Sequence, residues 1–207
     1  MIDFDKHFSK ISQDQLKKFN SLIQLYKGWN SKVNLISRRD IDNLYVNHIL
    51  HSLSIAKIHE FVDGTDVLDV GTGGGLPGIP LAIIFPNVNF TLLDSISKKI
   101  KVVEDISKHL SLTNVKTVNE RAENHNLKYD YVISRAVSKM DGFYSMVNKN
   151  IKLKSKNNIP NGIISLKGGD LEDELKNFNN YKIFEISDFF SNDFFKTKKI
   201  VFIPCTN

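Results

Sequence analysis

The residues best suited to chemistry lie between Asp66 and Asp94. The stretch Asp66-Val-Leu-Asp-Val-Gly71-Thr-Gly73-Gly-Gly75-Leu-Pro77-Gly78 sets glycines at 71, 73 and 75, two residues after an acid, Asp69. Backbone without Cβ atoms can approach a ligand closely, and a helix starting behind it offers unpaired N–H groups. A second acid, Asp94, ends the run Leu92-Leu93-Asp94. At the carboxyl end of a second strand a carboxylate can accept two hydrogen bonds from a ribose diol. It can also cap the helix that follows, a role equally open to Ser95 or Ser97. The chemistry indicated is the holding of a nucleoside-bearing cofactor. The G-x-G-x-x-G dinucleotide fingerprint fails, because its sixth position is Leu76. An ordinary glycine-rich turn and a nicotinamide or flavin site stand as the alternatives.

The G-x-G-x-G spacing with an acid two residues upstream resembles the cofactor turn of the S-adenosylmethionine (SAM)-dependent methyltransferases. Two later stretches fit that reading. In Asn119-Glu-Arg121-Ala122-Glu123, Glu123 is the natural acceptor for an adenine amino group, while Arg121 suits the surface as well. In Asp130-Tyr-Val-Ile-Ser134-Arg135-Ala136-Val137, Arg135 can position a phosphate or a base edge, or anchor a cofactor carboxylate. The Asn/Asp-Pro-Pro-aromatic motif common among methyltransferases of exocyclic amines is missing there, and Cys205 is the only cysteine. Attack through a covalent cysteine adduct is therefore unexpected. A nucleophile with a free lone pair, such as guanine N7, needs no general base, only in-line positioning.

These residues require a strand, a glycine turn and a helix in that order. Val67, Leu68 and Val70 read as a buried parallel strand, and Pro77 suits the first turn of a helix. Strands are predicted at 66–70, 89–94, 115–119, 129–134, 161–167, about 181–187 and 198–204. Helices fall at about 77–85, 96–110, 139–149 and 170–179. That alternation predicts βαβ units and a mainly parallel sheet, with the last two strands forming a hairpin that adds an antiparallel edge strand. Upstream, apolar spacing predicts a helix from about Ser12 to Trp29, then two more as far as Phe61. The expected organisation is a helical N-terminal extension, 1–62, and one compact unit, 63–207. Lys149 to Asn161 reads as a solvated, basic loop in preference to an RNA contact.

Composition narrows the classes. The 207 residues are 41% hydrophobic and 25% charged, enough to bury a core without staples. One cysteine leaves neither a disulfide framework nor a thiol-based zinc site, and no metal is expected. No secretory leader or membrane-length apolar run is visible, so a cytoplasmic location is expected by default, and a monomer likewise. The formal charge of +5 permits a polyanionic partner, with arginine confined to Arg38, Arg39, Arg121 and Arg135.

Together the residues resemble the ribosomal small-subunit (16S) rRNA 7-methylguanosine methyltransferase G family, also called glucose-inhibited division protein B. The match runs through Trp29-Asn30-x-x-x-Asn34-Leu, His48-x-x-x-Ser52, Leu68-Asp-Val-Gly-Thr-Gly-Gly-Gly-Leu-Pro-Gly-Ile-Pro-Leu-Ala, Leu92-Leu-Asp-Ser, Ile133-Ser-Arg-Ala and Leu166-Lys-Gly. The resemblance implies an α/β, Rossmann-like class I SAM-dependent methyltransferase with a mostly parallel seven-stranded sheet. It also implies methylation of N7 of a guanine in the 530-loop region of 16S rRNA, on free rRNA or the small ribosomal subunit. Cofactor contacts are implied at Gly71, Leu76, Ala122, Glu123 and Arg135; Gly73, Gly75 and Asp94 join them on physical grounds. No catalytic side chain is assigned. Substrate-positioning candidates are Arg135, Lys167, His48 and Asn34, with Ser52, Arg38 and Arg39 on the same RNA-facing wall. Packing between helices competes for His48 and His51, and Gly168-Gly169 after Lys167 has a sufficient reading as a cap.

Overall fold

The computed structural model describes residues 4, 6–8, 10–37, 40–135 and 139–205. Helix α1 (Gln13–Asn30) opens on a capping box: the Ser12 hydroxyl accepts the Gln15 N–H, and the Gln15 side chain accepts the Ser12 N–H. Its apolar face buries Phe19, Leu22, Ile23 and Tyr26. A tight turn at Ile41–Asn43 leads into a π-helical stretch, Leu44–Leu50, and two short helices, α2 (His51–Leu53) and α3 (Ile55–Ile58).

Seven strands follow: β1 (Asp66–Val70), β2 (Asn89–Asp94), β3 (Val115–Asn119), β4 (Tyr131–Arg135), β5 (Gly162–Gly168), β6 (Lys182–Glu185) and β7 (Lys198–Pro204). Helices α4 (Gly78–Ile84), α5 (Ser97–His109), α6 (Met140–Val147) and α7 (Glu172–Leu175) connect them. The last is much shorter than its acidic pattern predicts, since Asn177, Asn179 and Asn180 favour turns over helix. The sheet order is β3-β2-β1-β4-β5-β7-β6, parallel throughout except where β7 pairs β5 and β6 antiparallel. The antiparallel strand is therefore interior, and β6 is the edge. This corrects the expectation of an antiparallel edge: β7, apolar at Ile200–Ile203 and buried there, is the better core strand, whereas β6 is half exposed.

Side-chain alternation divides each strand between two cores. Val67, Tyr131, Ile133, Ile164 and Phe202 face a cluster shared with α1, α4, α5 and the N-terminal helices. Leu68, Val70, Leu93, Val132 and Ile163 face α6 and α7.

The basic segment after α6 is pinned rather than free. Lys152 bonds Asp66 at 2.5 Å and Asp130 at 3.4 Å, and Lys156 lies 3.5 Å from Asp130. Both acids sit at the amino ends of central strands, so these lysines close the end of the sheet opposite the glycine turn.

Candidate active site

The site grows from the carboxyl ends of β1 and β2. Gly71, Gly73 and Gly75 all have positive φ, and no Cβ could be added at Gly75 without overlapping Ile79 of α4. Gly73 has only the Gly71 carbonyl within 4 Å of an added Cβ, so its α-carbon faces open space. The turn is held from beneath by Asp69, which is fully buried. Its Oδ2 accepts the Thr72 hydroxyl at 2.7 Å and the Gly78 N–H at 2.9 Å, while Oδ1 has no partner. Burial pushes the Asp69 carboxyl up to about 7. From above, the Tyr26 hydroxyl of α1 donates to the Gly74 carbonyl at 2.8 Å, and the loop led by Asn30 lays Leu35 against Gly74.

Both carboxylate oxygens of Asp94 are engaged by backbone. Oδ1 accepts the Ile96 N–H at 2.9 Å, steering the entry to α5, and Oδ2 accepts the Gly73 N–H at 2.9 Å. Each carboxylate oxygen has a further lone pair. Asp94 also lines a cavity of about 170 Å³ with Val70, Gly71, Leu93, Ser95, Glu120, Arg121, Ala122 and Glu123. Here Glu123 is exposed and Ala122 buried. The wall at 120–123 is braced from behind: buried His125 hydrogen-bonds the Glu120 carboxylate through Nδ1 and the Tyr129 hydroxyl through Nε2, the latter at 2.8 Å. An open glycine backbone, a carboxylate with spare acceptor capacity and an exposed acid on one cavity fit an adenosine group.

Among the described residues, the other expected ones do not line this cavity. Gly75 and Leu76 are buried behind the turn, Leu76 preceding a cis-proline, so both shape it without lining it. Arg135 ends β4 in phase with Tyr131 and Ile133, which sends its side chain to the N-terminal face. Its Nη1 meets His48 Nδ1 at 3.0 Å, and His48 Nε2 hydrogen-bonds Asp40. Period-two phasing is the signal by which this direction could have been read, but nothing local pointed to Asp40. His51 packs edge-on against Phe194 and Phe195, with burial and then Arg135 lowering its pKa to about 3. Ser52 is buried, donating to the His48 carbonyl at 2.6 Å, and so faces no RNA. Lys167 pairs with Glu174 at 2.8 Å, and Asn34 is exposed. Arg38 and Arg39 lie outside the described residues. Among the described residues no group of three or more His, Cys, Asp or Glu could hold a metal, and no helix is long and apolar enough to cross a membrane.

Strand order, glycine turn and the acid closing β2 define the Rossmann-like class of SAM-dependent methyltransferases. The fold is that of MtNAS, a point mutant of which is known in complex with S-adenosylmethionine (TM-score 0.60, 12% identity, 93% of this chain and 72% of that one). It is likewise that of precorrin-6y C5,15-methyltransferase from Geobacter metallireducens (TM-score 0.55, 13% identity, 81% and 89%). The particular family follows from the sequence: the pattern of GidB, rRNA small subunit methyltransferase G, matches residues 15–200, and the chain belongs to that family. It is 53% identical over 199 residues to the ribosomal RNA small subunit methyltransferase G of Christiangramia forsetii, spanning 96% of this chain and 94% of the relative. The protein of that name from Flavobacterium psychrophilum is 52% identical over 199 residues, spanning 96% and 95%.

Proposed function

We propose that this chain transfers the methyl group of SAM to N7 of a guanine in the 530-loop region of 16S rRNA. The observation that supports it most is Asp94 clamped to the glycine turn beside the cavity walled by Glu120–Glu123, in a chain of this family. SAM supplies a methyl group already activated on a sulfonium. The protein's part is to hold and align. Asp94 receives the ribose diol, Glu123 the adenine amino group, and Arg135 the carboxylate of the amino-acid portion. Guanine N7 carries a lone pair and no hydrogen, so in-line approach to within roughly 3–3.5 Å suffices and no side chain need remove a proton.

The N-terminal residues 1–62 form the RNA-facing wall in this reading, with exposed Asn34 on it, and 63–207 the catalytic unit. The chain acts as a cytoplasmic monomer on 16S rRNA, free or within the small subunit. Its +5 charge supports a polyanionic substrate. Mass analysis of nucleosides from 16S rRNA of a deletion strain tests the function: loss of one 7-methylguanosine is expected, and unchanged content overturns it. In vitro transfer to rRNA should fall steeply with added salt, whereas indifference to salt and ribonuclease points to another substrate.

A further inference from the structure

We infer that Asp40 and His48 are positioning residues that aim the Arg135 guanidinium at the anionic end of the cofactor, so that the N-terminal segment completes a site built on the sheet. The assignment rests on the cofactor reading above. Arg135 stands where β1 and β4 meet, the point from which the strand order runs outward in both directions and where open α/β sheets hold their ligands. A guanidinium only donates, so His48 Nδ1 accepts, and Nε2 keeps the proton that it gives to Asp40 Oδ2. The Asn47 side chain donates to the other oxygen of Asp40 at 2.6 Å. Asn47 and His48 are consecutive residues of the π-helical stretch, whose widened turn brings both to one carboxylate; such turns gather at functional sites. Burial and then Arg135 hold His48 below the ordinary histidine range, which preserves the accepting nitrogen.

The described residues do not saturate the guanidinium. Among the described residues His48 is its one hydrogen-bond partner. The Tyr26 hydroxyl is committed to Gly74 and Asp69 Oδ2 to Thr72 and Gly78, while Asp69 Oδ1, which has no hydrogen-bond partner, acts on Arg135 through its charge and not through a bond. A partly buried arginine serving stability alone is normally forked onto a carboxylate. Here the carboxylate of Asp40 is one imidazole away, which orients the fork and leaves donors for an incoming carboxylate.

The test is calorimetric titration of the full chain with S-adenosylhomocysteine, which carries the carboxylate, and with 5′-methylthioadenosine, which lacks it. Arg135→Ala and His48→Phe should each weaken the first by about tenfold or more and leave the second unchanged. His48→Asn, which keeps an acceptor near the Nδ1 position, should recover most of the loss. In an Arg135→Ala background, His48→Phe or Asp40→Leu should add nothing. Equal loss for both ligands, additive losses, or full S-adenosylhomocysteine affinity in His48→Phe overturns the inference. A wild-type chain that binds neither nucleoside overturns the cofactor reading itself, and this inference with it.

Discussion

The backbone N–H of Gly73 donates to Oδ2 of Asp94 at 2.9 Å, joining the turn after β1 to the end of β2. Asp94 and the glycine turn are thus one mechanical unit, since a shift of either moves the other. Asp94→Ala should weaken S-adenosylhomocysteine binding by about 100-fold, the order expected when charged hydrogen bonds are lost. Asp94→Asn, with one acceptor oxygen left, should fall between. Titration calorimetry reads both.

Asp69 should make stability depend on pH. Burial disfavours the charge and pushes its carboxyl up from the ordinary 3.8 to about 7 in the folded chain. A raised folded value gives stability that is fully present below about pH 4 and lost as pH rises through about 7. Asp69→Asn should therefore melt above wild type at pH 8, by at least ~2 °C, with the gap narrowing towards pH 5. Scanning calorimetry of both proteins across that range would reveal a constant gap if burial were not the cause.

Gly75 and Gly28 should respond to alanine in opposite directions. Gly75 has φ +95°, and an added Cβ would stand 2.8 Å from Ile79 Cγ1, so Gly75→Ala should cost about 2 kcal/mol or more. Gly28 lies within α1 with nothing within 4 Å of an added Cβ, and Gly28→Ala should gain about 0.5–1 kcal/mol. Urea unfolding of the pair measures the contrast.

Tyr26→Phe should loosen the turn from a distance. It removes the donor to the Gly74 carbonyl, at about 1 kcal/mol. Amide exchange at Gly73, Gly74 and Gly75 should accelerate while that in β5 stays unchanged; uniform acceleration would show that α1 merely stabilises the whole.

Most of the sheet is legible in the chain because its strands are short apolar runs bounded by turn residues. β1, β2, β3 and β7 begin and end where the pattern places them. Asp94 and the glycines are legible for the same reason: their neighbours in space are near in sequence. What escapes is set by distant pairing. The apolar run Ile200–Ile203 marks Lys198–Pro204 as a core strand, but nothing local names β5 and β6 as its two neighbours. His48 and Arg135 are 87 residues apart, and their contact depends on an unusual helical turn that no periodicity encodes. The lysines at 152 and 156 read as solvated because their partners, Asp66 and Asp130, belong to strands whose amino ends meet only once folded.

The inward placement of β7 bears on how the chain is made. Translation delivers this strand after β5 and β6, yet in the sheet β6 pairs with β7 alone and β7 covers the outer edge of β5. A nascent chain stopped before Lys198 displays Gly162-Ile-Ile-Ser-Leu-Lys-Gly168 as an open, apolar edge, the kind that recruits strands from other molecules. Premature stops just before Lys198 should therefore yield aggregates rather than soluble, weakened enzyme.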